Sequence, residues 1–111
     1  MKKVHVPDRC EVVWIDLNPQ AGHEQAGRRA AFVISPKQYN IKVGLAIFCP
    51  ITNQKKYYPF EVNIPEGLKI SGVILADQLK SLDWKIRNVK FICKLSEEVF
   101  EEVKIKYNTL V

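Results

Sequence analysis

Apolar and polar side chains alternate in short bursts over most of the chain, and each burst is closed by a turn-forming residue. Residues 11–17 put Val13, Ile15 and Leu17 on one side of an extended backbone and Val12, Trp14 and Asp16 on the other, the period-two signature of a strand. A second apolar run, 30–35, is stopped by Pro36, and a weaker one, 45–49, by Pro50. Proline lacks the ladder donor, so both prolines predict strand ends. Phe60, Val62 and Ile64 alternate with Glu61 and Asn63, a half-buried strand, whereas 73–76 is almost continuously apolar and predicts a central one. Val89, Phe91, Cys93 and Leu95 share one face of a last strand, with Asn88, Lys90 and Lys94 mostly opposite. Then the period changes. Ser96 predicts an N-cap, with Glu97 and Glu98 in the first turn, where the helix dipole favours anions. Val99, Phe100, Val103, Tyr107 and Leu110 follow on one helical face, with Lys104 and Lys106 toward its end. Five or six short strands and one closing amphipathic helix predict a mainly β (α+β) domain, a small antiparallel barrel or strongly curled sheet.

A chain of 111 residues makes one domain, spanning 1–111, and a domain this small has room for a single modest core. It has no apolar run near the roughly 20 residues that span a bilayer. The two lysines after Met1 are not followed by an apolar segment, so no signal peptide is read and a cytoplasmic location is expected. A net charge of +5 and a pI near 9.2 point toward a polyanionic partner, whether nucleic acid, anionic membrane or acidic protein, without choosing among them. Cys10, Cys49 and Cys93, with His5 and His23, show no ligand spacing, so no metal and no cofactor is expected. Cys49 and Cys93 lie in apolar runs and read as reduced thiols packed in the core.

Two segments differ from plain connectors. The loop 18–30 carries Glu24, Arg28 and Arg29 between glycines and a strand edge, and a loop that long in so small a domain is a candidate for function. In 50–59, Lys55 and Lys56 precede Tyr57 and Tyr58. Cations for phosphates beside rings for splayed bases suit a single-stranded nucleic acid. Residue type alone leaves other readings open. Arg28 and Arg29 also fit a solvated pair, Thr52 a strand end whose hydroxyl bonds backbone, and the tyrosines a packing or dimer surface. Neither a serine–histidine–aspartate arrangement nor a phosphate-binding Gly-Lys-Ser/Thr motif is evident.

Several stretches resemble the MazF/PemK/Kid family of toxin endoribonucleases, in order and spacing over nearly the whole chain. They are Glu11-Val-Val-Trp-Ile-Asp16, Gly22-His-Glu-Gln-Ala-Gly-Arg-Arg29, Val33-Ile-Ser-Pro36, Cys49-Pro-Ile-Thr52, Tyr58-Pro-Phe-Glu-Val62 and Ala76-Asp-Gln-Leu-Lys-Ser-Leu-Asp-Trp84. The Val6-Pro7-Asp8 start is similar to the MazF branch. Two positions depart from the pattern: Cys10 stands where the family usually has glycine, and Ala30 where it usually has proline.

The resemblance implies a Src-homology-3-like barrel with a C-terminal helix, of the kind shared with the CcdB toxins. It implies a toxin that cuts single-stranded RNA without metal, through the 2′-hydroxyl. Arg29 and Thr52 correspond to the family's catalytic arginine and threonine, and Glu24 is the candidate base or the group that orients Arg29. Arg28, Gln25, Asn53, Lys55, Lys56, Tyr57, Tyr58, Asp77, Gln78 and Lys80 are the expected RNA contacts. His23 has a suitable ordinary pKa for acid–base work but does not match the family's catalytic positions. The implied partners are single-stranded RNA, a second copy of the chain and an acidic, MazE-like antitoxin, with no membrane. The rival expectation is the same barrel holding RNA without cutting it, or poisoning a protein as the gyrase-directed CcdB toxins do.

Overall fold

The computed structural model describes residues 4–17 and 27–111. These form β1 (Glu11–Asp16), β2 (Arg28–Val33), α1 (Lys37–Val43), β3 (Ala46–Thr52), β4 (Glu61–Asn63), β5 (Val73–Leu75), β6 (Lys80–Leu82), β7 (Lys90–Lys94) and α2 (Glu97–Asn108). The strands join in one antiparallel sheet of order β4-β5-β3-β2-β1-β7, with β6 also paired to β3. Strand β3 is the hinge of this arrangement. Its outer edge pairs β6 along Ala46, Ile47 and Phe48, then β5 along Ile51 and Thr52.

Alternation along β1–β3 feeds two apolar clusters on opposite faces of the sheet. Val12, Phe32, Cys49, Ile51, Val62 and Ile74 face Val99, Phe100 and Val103 of α2. Val13, Ile15, Ala31, Val33 and Phe48 face Trp84 on the other side, with Leu17 packed against them. Helix α2 begins as its sequence predicts: the Ser96 side chain accepts from the Val99 amide at 3.3 Å. Leu110 lies past its end and is exposed.

Four features correct the sequence reading. Pro50 does not end β3 but lies inside it. The Ile47 carbonyl accepts from Ile34 on the β2 side, so alternation turns the Pro50 nitrogen to the outer edge, in the gap between the β6 and β5 pairings. A missing donor costs no ladder bond there. β2 ends at Val33, short of Pro36, which instead stands at the N-cap of α1, a helix whose buried side chain is Asn40 rather than an apolar stripe. Buried Asn40 pins it, donating to the carbonyls of Pro7 at 2.7 Å and Ser35 at 3.0 Å. Strand β6 is Lys-Ser-Leu, with no apolar alternation to announce it. Finally, β7 does not keep one face throughout. The register shifts between Val12 and Val13, whose partners are Cys93 and Phe91, leaving Ile92 as a bulge that flips the sides. Cys93 and Leu95 pack with α2, Val89 with the opposite cluster, and Phe91 is left 45% exposed.

Candidate functional site

The two arginines start β2, in register with the end of β1, Arg29 opposite Ile15 and Arg28 opposite Asp16. Arg28 uses its guanidinium on the sheet end, donating to Asp16 Oδ1 and to the Asn88 carbonyl, each at 2.7 Å. Its charge is therefore shared with a carboxylate before any ligand arrives. Arg29 is half-buried one residue further in. Ala30, opposite Trp14, is buried in the ladder, so strand pairing fixes the backbone beside Arg29 without the family's usual proline.

Thr52 closes β3, where the chain leaves the sheet. Its Oγ1 accepts the Gln54 amide at 3.1 Å, which turns the loop and leaves the hydroxyl proton to donate elsewhere. Behind it runs Gly72, with φ 116°. A side chain there would drive its Cβ into the Thr52 carbonyl oxygen, so glycine lets the two backbones touch. Asn53 is held to the same segment by the Ser71 hydroxyl at 3.2 Å.

The Lys55–Tyr58 stretch is shaped from β4. The Glu61 carboxylate accepts the Lys56 amide at 2.8 Å and the Tyr57 amide at 3.0 Å. Tyr57 adopts φ 60° and its side chain stands out into solvent. Tyr58 turns back, donating its hydroxyl to Asp77 Oδ1 at 2.7 Å. Burial, and next the bond to Asp77, push the Tyr58 hydroxyl up to about 12.

These segments border two adjoining clefts of about 560 and 420 Å³. Arg29, Thr52, Gln54 and Gln78 line both, so they stand at the seam. The larger cleft adds Arg28, Asn53, Lys80, Trp14 and Ser71, and the smaller adds Lys56, Tyr58 and Glu61. Asp77 is tied to the smaller cleft through Tyr58. Lys55 and Tyr57 belong to the same loop but line neither cleft. Glu24, Gln25 and His23 lie outside the described residues. Sequence reasoning passed over Gln54, Ser71, Gly72 and Glu61. Gly72 alone carried a usable signal, as a glycine just before a buried strand. Among the described residues, no group of three His, Cys, Asp or Glu side chains is placed to hold a metal, and no helix is long and apolar enough to cross a membrane.

A permanently charged fork and a hydroxyl donor at one seam, flanked by lysines and an aromatic, can grip a phosphodiester from both sides. The family model for PemK-like, MazF-like toxins of type II toxin–antitoxin systems matches residues 8–110. The chain is 42% identical to the endoribonuclease toxin MazF of Escherichia coli over 107 residues, 96% of each chain. The crystal structure of MazF from Deinococcus radiodurans superposes with a TM-score of 0.88 at 47% identity, over 96% of both chains. A MazE–MazF crystal structure from the same organism matches with the same TM-score, identity and coverage.

Proposed function

The chain belongs to the PemK-like, MazF-like toxin family of type II toxin–antitoxin systems, and on that premise we propose that it is an endoribonuclease toxin cutting single-stranded RNA at short sequences. In the proposed reaction the RNA's 2′-oxygen bonds to the adjacent phosphorus and the bond to the 5′-oxygen breaks. The 2′-hydroxyl proton goes to a base, and the leaving 5′-oxygen takes one from an acid. The products are a 2′,3′-cyclic phosphate and a 5′-hydroxyl. The nucleophile comes with the substrate, so the protein has to supply charge, donors and proton transfer, and no metal is required of it.

The observation that carries this reading is the meeting of Arg29 and Thr52 at the seam of the two clefts. Arg29 offers two parallel N–H groups to the non-bridging oxygens as their charge grows. Its pKa above ~12 makes that electrostatic role more natural than proton shuttling. Thr52 adds one hydroxyl donor to the same oxygens. Losing one such donor costs on the order of 2.7–4 kcal/mol of transition-state stabilisation. Glu24 is assigned as the base, or as the group that orients Arg29. Lys56 and Lys80 take flanking phosphates, Tyr58 and Gln78 meet bases or sugars at the cleft walls, and Asp77 holds Tyr58. Lys55 and Tyr57 extend the contact beyond the clefts. The same positive surface suits an acidic antitoxin tail, and a second copy of the chain completes the toxin.

The test is incubation with a long unstructured RNA in EDTA, with the new ends mapped chemically. Discrete cuts bearing 5′-hydroxyl and cyclic phosphate ends are expected, and they should vanish when the nucleotide 5′ to the cut carries a 2′-O-methyl group. Intact RNA, or cuts that persist on the methylated substrate, would refute the mechanism. Binding without cutting would point to the silent RNA-holding alternative.

A further inference from the structure

A carboxylate on the wall of a cleft meant for RNA is electrostatically unhelpful, because it repels the phosphates that the neighbouring cations attract. Glu61 is such a carboxylate: it lines the smaller cleft together with Arg29, Thr52 and Lys56. Its two oxygens are both engaged by one short segment, Oε2 by the Lys56 amide and Oε1 by the Tyr57 amide. Its own amide donates back to the Tyr58 carbonyl at 3.2 Å. Three bonds between one residue and three consecutive loop residues leave that stretch little freedom.

The loop needs such a grip. Tyr57 sits at φ 60°, a left-handed conformation that bulky residues rarely adopt unless their surroundings impose it. Its side chain contributes no anchor, being 87% exposed. Glu61 is itself firmly seated. It pairs with Leu75 across the β4–β5 ladder, and its carbonyl accepts Lys106 Nζ of α2 at 2.7 Å. The grip therefore runs from the helix-backed sheet out to the loop.

We infer that Glu61 is a positioning residue for RNA binding, whose carboxylate fixes the 56–58 loop so that Lys56 and Tyr58 face the cleft before RNA arrives. The inference rests on the nuclease reading and adds to it a group that touches the loop rather than the reacting phosphate. Ordering the loop in advance removes an entropy cost that binding would otherwise carry.

The experiment compares wild type with Glu61→Ala and Glu61→Gln. Glutamine has one carbonyl oxygen to accept with, so it keeps part of the grip while removing the charge. Three quantities are read: the Kd for a 2′-O-methyl oligonucleotide spanning a mapped cut site, kcat and KM on the unmodified RNA, and Tm. Loss of charge-assisted bonds to the loop is expected to raise Kd and KM about tenfold in Glu61→Ala, and less in Glu61→Gln. In both variants kcat is expected to stay close to wild type, while Tm falls by a few degrees, more in Glu61→Ala, as the bonds that hold the loop are lost. A lower Kd in Glu61→Gln would mean that the carboxylate only obstructs RNA, and would overturn the inference. So would an unchanged Kd, with or without a fall in Tm or kcat, since a merely structural role moves only those. A wild type that cuts while Glu61→Ala binds normally overturns this inference alone. A wild type that binds but does not cut overturns the nuclease reading, while a Glu61-dependent Kd still upholds the loop assignment. A wild type that does neither overturns both.

Discussion

Cys10 stands at φ 75° with its thiol buried against the α2-side cluster, which gives the family's usual glycine at this position a physical reason. Its amide donates to the Val33 carbonyl at 3.0 Å and its carbonyl accepts the Leu95 amide at 2.8 Å, so the backbone has no room to relax. Left-handed geometry costs a residue with a Cβ about 1–2 kcal/mol. In an ordinary strand, glycine is less stable than alanine by roughly 0.5–1 kcal/mol; at position 10 the order should invert. Cys10→Gly is expected to unfold at higher denaturant than Cys10→Ala, and the usual order would contradict the strain argument. Gly72 acts on the site itself. A Cβ there meets the Thr52 carbonyl, and displacing a reacting group by about 1 Å can cost 10²-fold in rate. Gly72→Ala should therefore lose on the order of 10²-fold in cleavage rate, although residue 72 is not assigned to touch RNA; near-wild-type cleavage would refute it. Tyr58 sets an alkaline limit. Burial first, and the bond to Asp77 second, raise its pKa in the folded chain to about 12 from the ordinary 10.0, so the seated neutral phenol contributes fully below about pH 10 and its contribution fades as pH climbs toward 12. The stability advantage of wild type over Tyr58→Phe, read by urea unfolding, should hold up to about pH 10 and shrink between about pH 10 and 12; a constant gap across that window would exclude the assignment.

Elements whose identity rests on periodicity were legible in the chain, and those held by single polar contacts were not. β1 and α2 were readable because Val13, Ile15 and Leu17, or Val99, Phe100 and Val103, repeat at the period of their structure. The Ser96 cap was readable for a local reason, since the side chain bonds an amide three residues on. Ser96→Ala should cost about 1 kcal/mol, measurable as a shift in the urea midpoint, and no shift would mean that α2 is held by packing alone. Helix α1 escaped notice because it is fastened by Asn40 rather than by an apolar stripe. β6 is too short and polar to carry a period, and the Ile92 bulge depends on pairing with β1 rather than on anything local to β7. The site divides in the same way. Arg29 and Thr52 were marked by residue type and family spacing, whereas Glu61 acts through backbone contacts that no spacing rule exposes, and Gly72 was marked only as a glycine before a buried strand.

At the scale of the whole molecule, strand order explains how segments so distant in sequence reach one seam. β3 lies between β2 and β5, so the start of β2, the end of β3 and the turn after β5 converge. The surplus of positive charge, +5 over the chain, includes Arg29, Lys56 and Lys80 at the clefts. Three phosphate contacts on a single strand imply a slope of log Kd against log salt of about 2. A salt-independent Kd would contradict an electrostatic grip. The most direct measurement is the single-turnover cleavage rate, at saturating protein, of wild type, Arg29→Ala and Thr52→Ala on an oligonucleotide spanning a mapped cut. Each substitution should slow the bond-breaking step by about 10²–10³-fold, with binding of the 2′-O-methyl analogue weakened far less. Rates within a fewfold of wild type in either variant would contradict the claim that this pair stabilises the reacting phosphate.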